Sequence, residues 1–145
     1  MTFIHCCMPV AFALALLVSA PVHAAEDPAL FVLTPALMQK LTAAEKALKA
    51  LYKDEAEDAK DDGNDKSIEA SIRKIDRDPN TLAVLARHGL TSRDLVLSAH
   101  ALLHAGMFVS TEASMDKDKN AALYGSFTKV QQANIVLVRE LTRPQ

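Results

Sequence analysis

From Pro35 onward the chain repeats apolar residues on a helical period. Leu37, Leu41, Ala44, Leu48 and Leu51 recur at steps of four, three, four and three, with Lys40, Lys46, Lys49 and Lys53 mostly off the stripe. Thr34 stands as the N-cap, Pro35 takes the first helical position, and Leu33 is placed to staple onto Met38. The stripe ends around Tyr52. A shorter repeat carries Ile68, Ile72 and Ile75 and stops near Arg77, because Asp78 precedes Pro79 and is pushed out of the α region. Asp78-Pro79 restarts a helix that buries Leu82 and Leu85 and ends at His88-Gly89, with Gly past the last turn. Thr91 caps the next helix, Asp94 stands where Glu or Gln completes a standard capping box, and Leu90 can staple onto Leu95. This helix is expected to bury Leu95, Ala99, Leu102, Leu103 and Gly106 and to fray between Phe108 and Ser114. After the polar stretch Met115 to Asn120, a last helix carries Leu123, Phe127, Val130, Asn134, Leu137 and Leu141 on its inner face, and Pro144 closes it. Asn134 interrupts that stripe. If buried, its amide must find partners, and such a residue fixes register at some cost in stability.

No segment alternates at β spacing, and no repeat of 20–50 residues appears. The pattern predicts an all-α fold, an antiparallel bundle of four to five short helices. A chain of 145 residues has room for one small domain, and with 5% aromatic residues and no Trp its core must be built from Ala, Leu, Val and Ile.

The first residues follow a different grammar. Val10 to Val18 is an uncharged apolar run, followed by Pro21 and then Val22-His23-Ala24-Ala25, a small-residue cleavage pattern. Such a run reaches about half of a ~30 Å hydrocarbon core, so it predicts a signal peptide over 1–24 and no membrane span in the mature form. The segment before it is atypical in having no Lys or Arg. Cleavage leaves a single helical domain, 25–145, interrupted by an acidic linker at about 53–66. It also removes Cys6 and Cys7, so the mature chain has no disulfide and no thiol nucleophile.

Charge and motifs narrow the function further. With 16 Lys+Arg against 18 Asp+Glu and no basic cluster, nothing favours nucleic acid. There is no nucleophile elbow, phosphate loop, dinucleotide fingerprint or haem-attachment pair, so no catalytic residue is assigned and no enzyme is expected. No cofactor is implied.

Three sets of residues remain as candidates. His100 and His104, one helical turn apart, project from one side and can share a metal ion, with Met107 a further turn on as a soft ligand suited to Cu(I). The zinc-protease motif needs Glu after the first His, and Ala101 stands there. The second set is the stretch from Asp58 to Glu69, which keeps positions 1, 5, 6 and 12 of a calcium loop through Asp58, Asp62, Gly63 and Glu69. Lys60 puts a cation at position 3, which opposes Ca²⁺. Asp116 to Asn120 is a second, poorer fragment. The plainer reading makes both stretches solvated acidic linkers. The third is an apolar contact surface formed by Leu97, His104 and Phe108 on one helix flank, or by Leu30, Phe31 and Val32 in the lead-in.

The segments Phe31-Val32-Leu33-Thr34-Pro35-Ala36, Asp78-Pro79-Asn80-Thr81-Leu82-Ala83 and Gly89-Leu90-Thr91-Ser92-Arg93-Asp94-Leu95-Val96-Leu97 carry a resemblance. Together they resemble a group of small exported, all-helical bacterial proteins of uncharacterised function. The resemblance covers about a quarter of the chain and consists of capping residues. It implies export and an α-helical fold, and it transfers no ligand, partner or catalytic residue. The resulting expectation is an exported, periplasmic or secreted, non-enzymatic helical protein that binds another envelope protein. The alternative is a Cu or Zn module built on His100 and His104.

Overall fold

The computed structural model describes residues 27–53 and 67–143. The segment expected to be a signal peptide and most of the acidic stretch, including Asp58 and Asp62, lie outside the described residues. A 3-10 turn at Pro28–Leu30 is followed, among the described residues, by six helices where four to five were expected: α1 Pro35–Leu51, α2 Ile68–Asp76, α3 Pro79–Arg87, α4 Ser92–Glu112, α5 Lys117–Ser126 and α6 Lys129–Thr142. No strand occurs among the described residues, and the fold is all-α.

The caps act where the sequence puts them. Thr34 Oγ1 accepts from Leu37 N at 3.1 Å. Asp78 Oδ1 accepts from Asn80 N at 3.0 Å and Thr81 N at 3.2 Å. The box at α4 is complete with Asp in place of Glu: Thr91 Oγ1 accepts from Asp94 N at 3.0 Å, and Asp94 Oδ2 accepts from Thr91 N at 2.9 Å. Helix α3 ends in a Schellman motif, with Gly89 N donating to Ala86 O and Leu90 N to Leu85 O, both at 3.0 Å. Gly89 has φ +61°, the one positive value among the described residues, and a side chain there is strained whatever space it finds. The Leu85 and Leu90 side chains meet in one core cluster, the apolar contact that accompanies this motif.

Two expectations are corrected on the C-terminal half. Helix α4 does not fray at Phe108 but runs to Glu112, and its buried side is Val96, Leu97, Ala101, Ala105 and Phe108. Ala99 is exposed, Leu103 is 62% exposed, and a Cβ added at Gly106 would meet nothing within 4 Å. Leu95 and Leu102 do pack, half-buried, against the cores, but α4 is apolar on several sides and stripe counting alone placed the centre of its buried face wrongly. The small residues that admit a neighbour are Ala101 and Ala105, and Ala105 shares a cluster with Ile135 of α6. The second correction concerns Leu123, Phe127 and Val130, whose spacing reads as one helix. The chain instead breaks at Phe127 and Thr128. Asp116 starts α5, and Thr128 starts α6 with its own capping box, Oγ1 accepting from Gln131 N at 3.1 Å and Gln131 Oε1 accepting from Thr128 N at 3.0 Å.

Contacts along the last three helices set their directions. His104 meets Gln131, and Glu112 meets Arg139, so residue numbers rise together and α4 runs in the same sense as α6. Asn120 Nδ2 donates to Glu112 O at 3.3 Å, while the Tyr124 ring lies against Phe108 and the Phe127 ring against His104, so α5 runs back along α4. Of all the helix pairs, α4 and α6 pack most extensively, and that pair is parallel. Two core clusters are strung on α4. One joins Leu41 and Ala44 of α1 to Leu85 and Leu90, with Ile75 and Leu95 beside them. The other joins Ala105 and Phe108 to Ile135 and Val138, with Leu102, Tyr124 and Phe127 beside them.

The extended lead-in is tied to α6 by the residue that interrupts its stripe. Asn134, 2% exposed, donates from Nδ2 to Phe31 O at 2.8 Å and accepts at Oδ1 from Leu33 N at 2.9 Å. Thr128 Oγ1 adds a bond to Ala29 O at 3.0 Å.

Two stability predictions arise from this framework. Ser98 is 1% exposed and its Oγ has no hydrogen-bond partner among the described residues. A buried hydroxyl without a partner keeps its desolvation cost, so Ser98→Ala is expected to stabilise the fold by about 1 kcal/mol. Calorimetry should then show the thermal midpoint rising by roughly 3 °C.

The second concerns a junction between α1 and α3. The Tyr52 hydroxyl donates to the Asp78 carboxylate and lies 2.9 Å from Thr81 Oγ1, which itself donates to Asp78 Oδ2 at 2.7 Å. These bonds, the Tyr52 one foremost, lower the Asp78 pKa from 3.8 to about 2. A carboxylate lowered in the folded state contributes stability that is complete above its ordinary value and fades as pH falls through the folded one. Denaturant midpoints should therefore drop between about pH 4 and about pH 2, and Asp78→Asn should remove that component of the drop.

Candidate functional site

Helix α4 presents His100 and His104 at the edge of its buried side, facing the lead-in turn and the start of α6. Both line a single cavity of about 170 Å³ whose other walls are Pro28, Ala29, Ala101, Gln131 and Asn134. His100 Nδ1 lies 2.9 Å from Val96 O. A carbonyl accepts only from an N–H, so this contact takes Nδ1 as its donor and leaves Nε2 as the ring nitrogen outside it. His104 packs edge-on against Phe127 with ring centroids 4.7 Å apart, and its Nε2 lies 3.5 Å from Gln131 Nε2. The capping box already uses Gln131 Oε1, so the amide NH₂ is the end that faces the imidazole. An NH₂ can only donate, so Nε2 is the nitrogen that His104 turns toward Gln131 as acceptor.

Met107 does not join them. It is 61% exposed and absent from the cavity wall. The expected His-His-Met set is therefore not assembled, and among the described residues no three His, Cys, Asp or Glu side chains converge on a metal position. The polar side chains of the wall that the sequence did not place here are Gln131 and Asn134, and Pro28, Ala29 and Ala101 complete it. Thr128-Lys129-Val130-Gln131 is a capping box legible in the sequence, and it would have located the start of α6 beside His104.

Of the calcium-like residues only Glu69 falls within the described part of the chain. Asp58 and Asp62 lie outside the described residues, and Glu69 is an exposed first-turn residue of α2, behind the Ser67 cap. Asp116 is accounted for as the α5 N-cap, accepting from Asp118 N at 3.0 Å and Lys119 N at 3.3 Å.

The proposed contact surface on α4 is also corrected. Leu97 is 0% exposed and Phe108 is 4% exposed, so both belong to the core. The Phe108 centroid lies 5.5 Å from that of Phe127, and the Arg139 guanidinium sits 5.6 Å from the Phe108 centroid and 5.2 Å from that of Tyr124. Arg139 Nε in turn donates to the Glu112 carboxylate at 3.0 and 3.2 Å, a bond that raises the Arg139 pKa. Phe31 is half-buried, with its carbonyl held by Asn134. Among the described residues, the large apolar side chains that face solvent are Leu30 and Val32 on the lead-in, Leu51 on α1, Leu103 and Met107, one turn apart, on α4, Leu123 on α5, and Val136 and Leu141 on α6; Leu30, Leu103 and Met107 are the most exposed.

No family model, curated protein or solved structure matches this chain. Among the described residues, no helix is long and apolar enough to cross a membrane.

Proposed function

We propose that this is an exported, periplasmic or secreted, non-enzymatic helical protein that works by binding another protein of the cell envelope. Export is supported by the leader pattern before Ala25 and by the resemblance to small exported helical proteins. The binding reading rests on one observation: Leu103 and Met107 on α4, with Leu30 and Val32 on the lead-in, hold large apolar side chains in water. Both segments border the same cavity. Apolar area gathered on neighbouring elements is the kind that association hides.

Copurification from an envelope extract tests the reading. The native protein should bring down a defined partner, and Leu103→Asp with Met107→Asp should lose it while keeping the native thermal midpoint. Recovery of the protein alone, as a monodisperse monomer, overturns the binding reading. Amino-terminal sequencing of the recovered protein should begin at Ala25. Intact precursor confined to the cytosol overturns export.

A further inference from the structure

We propose that His100 and His104 together bind one divalent transition-metal ion of borderline character, Zn²⁺ or Cu²⁺, in the cavity between α4, the start of α6 and the Pro28–Leu30 turn. The proposal is independent of the partner-binding reading. It stands on the placement of the two imidazoles in one cavity. His100 faces the Val96 carbonyl through Nδ1 and His104 faces the Gln131 amide through Nε2, and the two imidazoles, one helical turn apart, line the same cavity. A ring nitrogen tied to a carbonyl while the other stays open is how ligating histidines are oriented and kept basic.

The donors select the ion. Two neutral imidazoles suit zinc and cupric ions and not calcium or magnesium, which require oxygen ligands. Cuprous ion would need the soft Met107 sulfur, which does not line the cavity. Only one existing contact must yield, the Gln131–His104 approach. At 3.5 Å it lies at the outer limit for a hydrogen bond and is readily displaced. The cavity, at about 170 Å³, has room for the ion and its waters. Two protein donors leave coordination positions to water, so the site is exchangeable and not structural.

Zinc titration of the purified, untagged protein by calorimetry tests this. One ion should bind per chain, and His100→Ala or His104→Ala should each weaken binding at least tenfold. His88→Ala and Met107→Leu should leave it unchanged. Binding should weaken in acid, where protons compete for the ring nitrogens. Far-ultraviolet circular dichroism checks each variant, and His104→Gln, closer in size, should show the same loss in a fold that still melts cooperatively. Nitrogen-15 spectra should show zinc shifting Nε2 of both histidines and not Nδ1. Unchanged zinc affinity in the double variant His100→Ala/His104→Ala overturns the proposal, as does an Nδ1 response or a loss of binding in Met107→Leu.

Discussion

Asn134→Ala is expected to lower the thermal midpoint by roughly 10 °C and to free the lead-in from α6. The amide satisfies two backbone groups at once, the Leu33 N–H and the Phe31 carbonyl, at 2.9 and 2.8 Å. Leu33 is buried, so its N–H has no ready access to water once the acceptor is gone. A buried backbone group left without a partner costs ~1–3 kcal/mol, and the pair together with the vacated space should cost about 3 kcal/mol. Asn134→Leu restores volume without restoring either bond and should not recover the loss. Hydrogen exchange at Leu33, monitored beside the melting curve, decides the cause. A Leu33 amide that stays protected in Asn134→Ala would contradict the anchoring role.

Phe108→Ala should be at least as damaging, lowering stability by about 4 kcal/mol in urea denaturation. The side chain fills the cluster formed with Ala105, Ile135 and Val138, and it is the surface on which Arg139 rests. Its removal opens a cavity and strips an apolar wall from an ion pair whose members are only partly exposed. Phe108→Leu, which keeps much of the apolar volume, should cost about 1.5 kcal/mol. An aromatic ring displayed for a partner would behave the other way, leaving the urea midpoint in place. The two variants thus test directly whether Phe108 belongs to the core or to a contact surface.

Much of the helical punctuation was legible in single residues. Thr34-Pro35, Asp78-Pro79, His88-Gly89 and Thr91 with Asp94 each specify a backbone conformation locally, so reading them needed no tertiary knowledge. Asn134 was legible as a polar residue in need of partners, but its partner was not, since the Phe31–Leu33 backbone carries no side-chain signal for that meeting. The rotation of α4 was hidden for a different reason. Leu95, Leu97, Leu102, Leu103 and Phe108 spread around the helix, and only packing decides which of them point inward. The α5–α6 break was masked because Leu123, Phe127 and Val130 keep helical spacing across a chain reversal, although Thr128 and Gln131 announced it. At the candidate site the His pair was visible in sequence. The cavity it borders was not, because Pro28, Gln131 and Asn134 arrive from distant parts of the chain.

The lead-in clasp also dictates an order of events during synthesis. Leu33 leaves the ribosome 101 residues ahead of Asn134, the side chain that receives it. Until Asn134 emerges, the early segment has only α4 to rest on and its Leu33 N–H and Phe31 carbonyl lack their partner, while α4, α5 and α6 need only short chain closures to find one another. The segment from Ala29 to Leu33 is therefore expected to complete its seating last and to peel away first under a pull on the amino-terminal side.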